Sequence, residues 1–279
     1  MKNLIYPCLW FDGNAKAAAE FYCSVFANSK ITTDTPMVVN FELSRKKFMG
    51  LNGGPQFKFN PSVSFFTICE TENEIDGVWS KLIKDGKVMM ALDNYPWSKK
   101  YGWVQDKFGI SWQLMMGDAE QMGGKIIPAF MFTGSQAGKA EQAMHFYTSL
   151  FSDSKIKDIN RYLIGENDVE GTVKHGRFNL SNQSFIAMDS SAPHGFQFNE
   201  AISFVVDCET QQEIDFYWNK LTEGGQESQC GWLRDKFGLS WQIVPTVLSK
   251  LMSDPTKSQR VIAAFMQMTK FDIEKLLKA

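Results

Sequence analysis

The side chains able to do acid–base, nucleophilic or metal chemistry are few in this chain and scattered. The histidines are His145, His175 and His194, and the cysteines are Cys8, Cys23, Cys69, Cys208 and Cys230. A zinc or disulfide framework needs paired spacing, and these cysteines stand singly and odd in number. Each is read as a buried, inert thiol in a reducing cytoplasm. His145 lies off the apolar stripe of a helix and is expected at the surface. His175 and His194 flank strands, where loop or surface placement is expected. His175 also shares strand parity with Arg177 and Asn179, which would let it join a polar wall. Nucleotide chemistry asks for a glycine-rich turn from strand into helix. Gly53-Gly54 leads instead into PQFKFN, Gly123-Gly124 sits in a polar stretch, and Gly224-Gly225 reads as a helix C-cap. A methyl-donor nucleotide site of the doubly wound type is therefore not expected.

Charge narrows the partners further. The 29 basic residues nearly balance 31 acidic ones, for a formal charge of −2. No window clusters Lys and Arg enough to displace counterions, so no nucleic acid is expected. The apolar run in MKNLIYPCLWFDG is too short to span a bilayer and reads as a strand, so no membrane is expected. With 44% hydrophobic residues, 23 Phe and 8 Trp, the chain has material for substantial cores.

These residues are organised by an internal repeat. FYCSVFANSKI (Phe21 to Ile31) returns as FYTSLFSDSKI (Phe146 to Ile156), SFFTICETENEID (from Ser64) as SFVVDCETQQEID (from Ser203), and YGWVQDKFGISWQ (from Tyr101) as CGWLRDKFGLSWQ (from Cys230). The expected domains are residues 1–117 and 126–245, joined by a polar linker over 118–125 and followed by a C-terminal helical tail over 246–279. Leu276 and Leu277 are expected to dock that tail. The first copy carries extra residues in VMMALDNYPWSKK, the second around RYLIGENDVEGTVKHG.

Within each copy the pattern alternates strand, helix and a run of strands, twice over. Ala18, Phe21, Tyr22 and Val25 recur at helical spacing, as do Ala143, Phe146, Tyr147 and Leu150. Thr71 with Glu74, and Thr210 with Glu213, have capping-box spacing ahead of a second helix whose Ile75, Trp79 and Leu82 (Ile214, Trp218 and Leu221) form a core face. The architecture is α+β, four βαβββ units, two per copy.

FDGNAKAAAEFY, SFFTICETENEIDGVW and DKFGISWQ together resemble the PhnB-like branch of the glyoxalase/bleomycin-resistance/dioxygenase (vicinal oxygen chelate, VOC) superfamily, a branch often called demethylubiquinone methyltransferase-like. The resemblance implies two tandem domains, each of two βαβββ modules forming a curled mixed sheet around a small-molecule cavity. Whether a cavity is built within one repeat or between repeats stays open. So does the choice between a monomer with an internal pseudo-dimer and a homodimer.

In a strand, neighbours face opposite sides, so Trp112 and Gln113 cannot share a cavity. The superfamily's metal enzymes carry a carboxylate at the position of Gln113 and Gln242, which makes that the cavity face. Ser111, Gln113 and Met115 then line the first cavity, and Ser240, Gln242 and Val244 the second. Trp112 and Trp241 go under the helices. Ser64, Phe66, Ser203 and Val205 face the cavities from the fifth strand of each repeat, and Trp103 and Trp232 supply apolar walls. Ser64 and Ser203 stand about where the metal enzymes use histidine, so no cofactor is expected and a tightly held divalent metal is disfavoured.

The leading reading is a small organic molecule bound by Gln113, Gln242, Ser64, Ser203, Phe66, Ser111, Ser240, Trp103 and Trp232, with catalysis left open. The alternatives are a metal-dependent VOC enzyme (dioxygenase, lyase or isomerase) and a drug-sequestering resistance protein. A structural role for the two glutamines competes evenly with ligand binding.

Overall fold

A computed structural model describes residues 5–279; Leu4, which the sequence sets at the head of the first strand, lies outside the described residues. The first module runs β1 (Ile5–Phe11), α1 (Ala15–Val25), β2 (Lys30–Asp34), β3 (Val38–Leu43) and β4 (Lys46–Asn52). The second runs β5 (Val63–Cys69), α2 (Glu72–Leu82), β6 (Lys87–Tyr95), β7 (Ser98–Gln105) and β8 (Ser111–Met116). After a short helix α3 (Ala119–Met122), the third module is β9 (Ile126–Phe132), α4 (Ala140–Leu150), β10 (Lys155–Arg161), β11 (Val173–Leu180) and β12 (Gln183–Asp189). The fourth is β13 (Ile202–Cys208), α5 (Gln211–Thr222), β14 (Gln226–Glu227), β15 (Trp232–Arg234) and β16 (Ser240–Pro245), and the tail carries α6 (Val247–Met252), α7 (Ser258–Phe265) and α8 (Ile273–Lys278). The fold is α+β, with four βαβββ modules and mixed sheets. None of the described helices is long and apolar enough to cross a membrane.

The chain divides into two compact units that cut across the repeats. The larger is Cys8–Ile202, and the smaller joins residues 5–7 to Ser203–Ala279. In the larger unit an eight-stranded sheet runs β10-β11-β12-β9-β5-β8-β7-β6. Its centre is the antiparallel pair β5–β9, with Ser64 opposite Ala129 and Phe66 opposite Ile127. The second module of the first repeat is thus hydrogen-bonded to the first module of the second repeat, and this sheet is built between repeats.

Within the larger unit the two repeats exchange equivalent bonds, as partners around a two-fold axis do. Trp10 N donates to Ala201 O at 2.9 Å, as Met131 N does to Ser62 O at 2.8 Å. Asn60 Nδ2 donates to Gln197 O at 3.0 Å and Asn199 Nδ2 to Lys58 O at 2.9 Å. Equivalent helix starts are tied down alike: Ala15 N donates to Asn52 Oδ1 and Ala140 N to Asp189 Oδ1, each at 3.0 Å, so a side chain at a strand end replaces the missing local cap.

Helices cover one face of each sheet. Trp112 is fully buried, its ring 5.4 Å from that of Tyr22 and 4.9 Å from that of Phe26. Ala18, Tyr22 and Val25 of the helical stripe are buried, whereas Phe21 is half-buried. The Thr210–Glu213 capping box is complete; Thr71 caps Glu74 N, but the Glu74 carboxylate turns back to Glu70 N. Over 118–125 the chain forms α3, capped by Asp118 and ended by Gly123 at φ 89°.

The smaller unit pairs β14-β15-β16-β13 in that order, with β13 and β16 parallel. Its β14 and β15 hold two and three residues, where β6 and β7 hold nine and eight. The tail fills the shortfall: Cys230 N donates to Met268 O and Gly231 N to Thr269 O, both at 2.7 Å. Gln211 clamps the next stretch, donating to Phe271 O at 3.1 Å and accepting from Ile273 N at 2.9 Å. Lys270 pairs with Asp215 at 2.6 Å, and Phe271 and Leu276 are buried. Leu277, expected to help dock the tail, is instead 57% exposed, since its neighbour takes the inward side of α8.

Candidate functional site

Two strand faces turned away from the helices carry the candidate residues, one face in each unit. In the larger unit β5 and β8 lie parallel, with Ser64 beside Ser111 and Phe66 beside Gln113. β7 runs antiparallel on the far side of β8 and sets Trp103 opposite Gln113. Phe66, Ile68, Tyr101, Ile127, Ala129 and Ile186 form one cluster on this face, with Trp103, Met90, Met115 and Met188 packed against it. The expected inward set of Ser64, Phe66, Trp103, Ser111 and Gln113 comes together here.

The polar atoms of this face form a closed set. Gln113 is 3% exposed; its Oε1 accepts from the Tyr101 hydroxyl at 2.6 Å and its Nε2 donates to Ser64 Oγ at 2.8 Å. Trp103 Nε1 donates to Ser111 Oγ at 2.6 Å. Burial pushes the Tyr101 phenol well above its usual range, so it stays a neutral donor to the amide. Tyr101 escapes a reading of the sequence because its partner stands twelve positions away on an adjacent strand.

Asp106 and Asp235 explain why DKFG precedes the strand that ends in WQ. Asp106 Oδ1 accepts from Phe108 N at 2.8 Å and Ile110 N at 3.0 Å, and its Oδ2 accepts from Trp112 Nε1 at 2.8 Å. Asp235 makes the same three bonds, to Phe237 N at 2.8 Å, Leu239 N at 3.1 Å and Trp241 Nε1 at 2.8 Å. Each aspartate folds the turn and holds the tryptophan on the helix side, and strand parity then turns Gln113 or Gln242 to the other face. Burial raises the Asp106 carboxyl above its ordinary range against the pull of these bonds. Both aspartates have a signal in the sequence, since each stands at the same place in both copies.

His175 is half-buried on β11 with its ring 6.1 Å from that of Phe66, which corrects the surface placement expected for it. Burial lowers the imidazole's affinity for protons, ahead of an opposing effect from Asp158. Arg177, two residues on, is held by Asp158 at 2.5 Å. Phe66 and His175 belong to different repeats, so only the β5–β9 pairing brings them together. His145 is exposed as expected, and so is His194, 5.0 Å from the Phe196 ring.

In the smaller unit β13 and β16 set Ser203 beside Ser240 and Val205 beside Gln242, and β15 places Trp232 opposite Gln242. Gln242 is 6% exposed, and its Nε2 donates to Ser203 Oγ at 2.9 Å. At the position equivalent to Tyr101 stands Cys230, in a left-handed turn at φ 58°, its sulfur 3.6 Å from Phe265 O and 3.8 Å from Met266 Sδ. Strand parity adds Asp207 to the face of Ser203 and Val205, at the place of Ile68. Its Oδ1 accepts from the Tyr6 hydroxyl at 3.2 Å, and Tyr6 stands at the place of Ile127. The signal for Asp207 lies in the aligned SFFTICET and SFVVDCET.

The ligating groups on these faces are hydroxyls, amides, the His175 imidazole and the Asp207 carboxylate. Among the described residues no three His, Cys, Asp or Glu converge as a metal would require, and the neutral oxygens of Ser and Gln bind a divalent cation weakly. The residues present therefore do not fit a tightly held metal. Cys8, Cys69 and Cys208 are buried as expected, but Cys23 and Cys230 are half-buried because they sit at a helix flank and a turn. Burial pushes the Cys69 thiol up to about 12 and raises Cys23 and Cys230 too, so no thiolate is activated there. A cleft of about 520 Å³ in the larger unit, lined by Trp10, Phe57, Phe59, Phe108 and Lys58 among others, contains none of the expected site residues.

A family model described as 3-demethylubiquinone-9 3-methyltransferase matches residues 3–115 and again 124–244. A PhnB protein from Bacillus cereus is 39% identical over 39% of this chain and 96% of its own, with a TM-score of 0.38. Glyoxalase I from Zea mays is 10% identical, covers 91% of this chain and 97% of its own, and has a TM-score of 0.59, a likeness of fold. A point mutant of the same maize enzyme is 12% identical over 88% of this chain and 93% of its own, with a TM-score of 0.56. No curated protein matches the chain.

Proposed function

Since the chain belongs to the family described as 3-demethylubiquinone-9 3-methyltransferase, with the glyoxalase fold, we propose that it binds a small organic molecule on its helix-free sheet faces, through hydrogen bonds and apolar contact. One observation carries this reading. A buried glutamine bonded to a buried serine recurs in both units, at 2.8 Å and 2.9 Å, and in the larger unit it stands on an otherwise largely apolar face. Burying such polar groups is costly unless they orient something or hold the sheet, and sites for small ligands combine apolar walls with a few placed polar groups.

On the larger unit's face the wall is aromatic and thioether, from Phe66, Trp103, Met90, Met115 and Met188, and such sulfur-rich surfaces adapt to their ligands. His175 adds a neutral imidazole beside Phe66. The methyl-transfer name finds no support in these residues, because no glycine turn opens a helix at either site. The five cysteines, none of them in a disulfide among the described residues, favour a reducing cytoplasm.

The test is a thermal-shift screen of small organic compounds followed by calorimetry on the hits. Gln113→Leu or Gln242→Leu should weaken binding of a hit several-fold. If both variants leave every hit unchanged, the faces are not the binding sites. Mass spectrometry of each hit after incubation separates storage, which returns the compound unaltered, from catalysis, which returns a product.

A further inference from the structure

The two glutamines occupy equivalent positions but differ in what they still offer. In the larger unit the Gln113 carbonyl oxygen is taken by Tyr101. In the smaller unit the residue in that place is Cys230, turned toward Phe265 and Met266, and among the described residues Gln242 Oε1 accepts no hydrogen bond. The side chain is buried, with the residue only 6% exposed, and its amide nitrogen is fixed on Ser203, which orients the oxygen away from that serine. The oxygen is not among the fully buried atoms left without a partner, so it keeps an opening through which a ligand's donor can reach it in place of water.

The walls around it differ in the same sense. Ile68 and Ile127 of the larger unit are replaced by Asp207 and Tyr6, bonded to each other at 3.2 Å. An apolar pair has become a carboxylate and a phenol on the strand face that also carries Ser203. Trp232, opposite Gln242, supplies an aromatic surface of the kind that attracts organic cations.

Building on the binding function proposed above, we propose that the smaller unit selects a hydrogen-bond-donating ligand, an amine or an alcohol, whose N–H or O–H is received by Gln242 Oε1, with Asp207 favouring the ammonium form. A ligand offering only acceptor oxygens would face an amide oxygen and a carboxylate and be disfavoured.

The test uses three closely matched probes on the full chain: benzylamine, benzyl alcohol and benzyl methyl ether. Calorimetry should show the amine and the alcohol binding about tenfold more tightly than the ether, the scale of one buried hydrogen bond. Gln242→Leu should remove that preference, and Gln242→Glu, which keeps an acceptor, should retain or strengthen amine binding. Asp207→Asn should weaken the amine about tenfold and leave the alcohol within about twofold. Melting temperatures of all variants check that each is folded. Equal binding of the three probes, no binding of any, or a donor preference that survives Gln242→Leu in a folded variant would overturn the proposal. A donor preference that survives Gln242→Leu but disappears in Gln113→Leu would overturn it while leaving the wider binding function standing.

Discussion

The two sheet faces share a scaffold and part company in their walls. Both use an aspartate to seat a tryptophan under the helices and thereby point a glutamine at a serine. One then commits its glutamine to an internal tyrosine and surrounds it with isoleucine and methionine, while the other leaves the amide oxygen open on a face that also carries a carboxylate. The duplicated residues build the frame and the divergent ones decide the chemistry. Tyr101/Cys230, Ile68/Asp207 and Ile127/Tyr6 are small differences in sequence, but each changes which hydrogen bonds remain to be made.

The largest expected effect tests whether the smaller unit depends on its tail as the larger depends on its long hairpin. Phe271→Ala, which empties a buried aromatic position, should cost about 3–4 kcal/mol in a denaturant titration monitored by tryptophan fluorescence. A change under about 1 kcal/mol would show the tail to be an ornament on that unit. Next, Asp106→Ala and Asp235→Ala should each cost about 3 kcal/mol, since each leaves three donors without their acceptor. The comparison requires the two losses to be alike; one harmless substitution would mean the frame is not shared.

The glutamines should then separate. Gln113→Leu strands both Tyr101 and Ser64 and should lower stability by about 1–2 kcal/mol, whereas Gln242→Leu strands only Ser203 and should cost about half as much. Equal losses would erase the distinction drawn between a locked and an open amide.

The smallest effect is one of pH. Burial depresses the His175 pKa below its ordinary value, so the unfolded chain binds that proton more readily than the folded one. The associated stability is present above the ordinary histidine range and is lost as pH falls through it. Substituting His175→Asn should flatten the decline in unfolding midpoint between neutral and mildly acidic pH; an unchanged slope would mean the imidazole is not held neutral against Phe66.

Much of the frame is legible in the chain because it repeats. The four modules, the inward glutamines and serines and the outward Trp112 all follow from period-two alternation combined with the family likeness. The pairing of modules is not legible, since β5 has the same pattern whether it meets β9 or β1, and the choice lies in tertiary contacts. His175 reads as a surface residue for that reason, its neighbour Phe66 being supplied by another repeat. Tyr101 gives no signal because a phenol on a strand looks like core until its hydroxyl is seen to reach Gln113.

The backbone bonds from Cys230 and Gly231 to Met268 and Thr269 have a consequence for the chain's behaviour outside the folded state. They close the side of a very short sheet margin that its own hairpin is too brief to cover. A strand margin left bare is a template for pairing with other chains. Removal of the last residues would therefore matter less as a loss of helix than as the exposure of a strand margin able to pair with other chains.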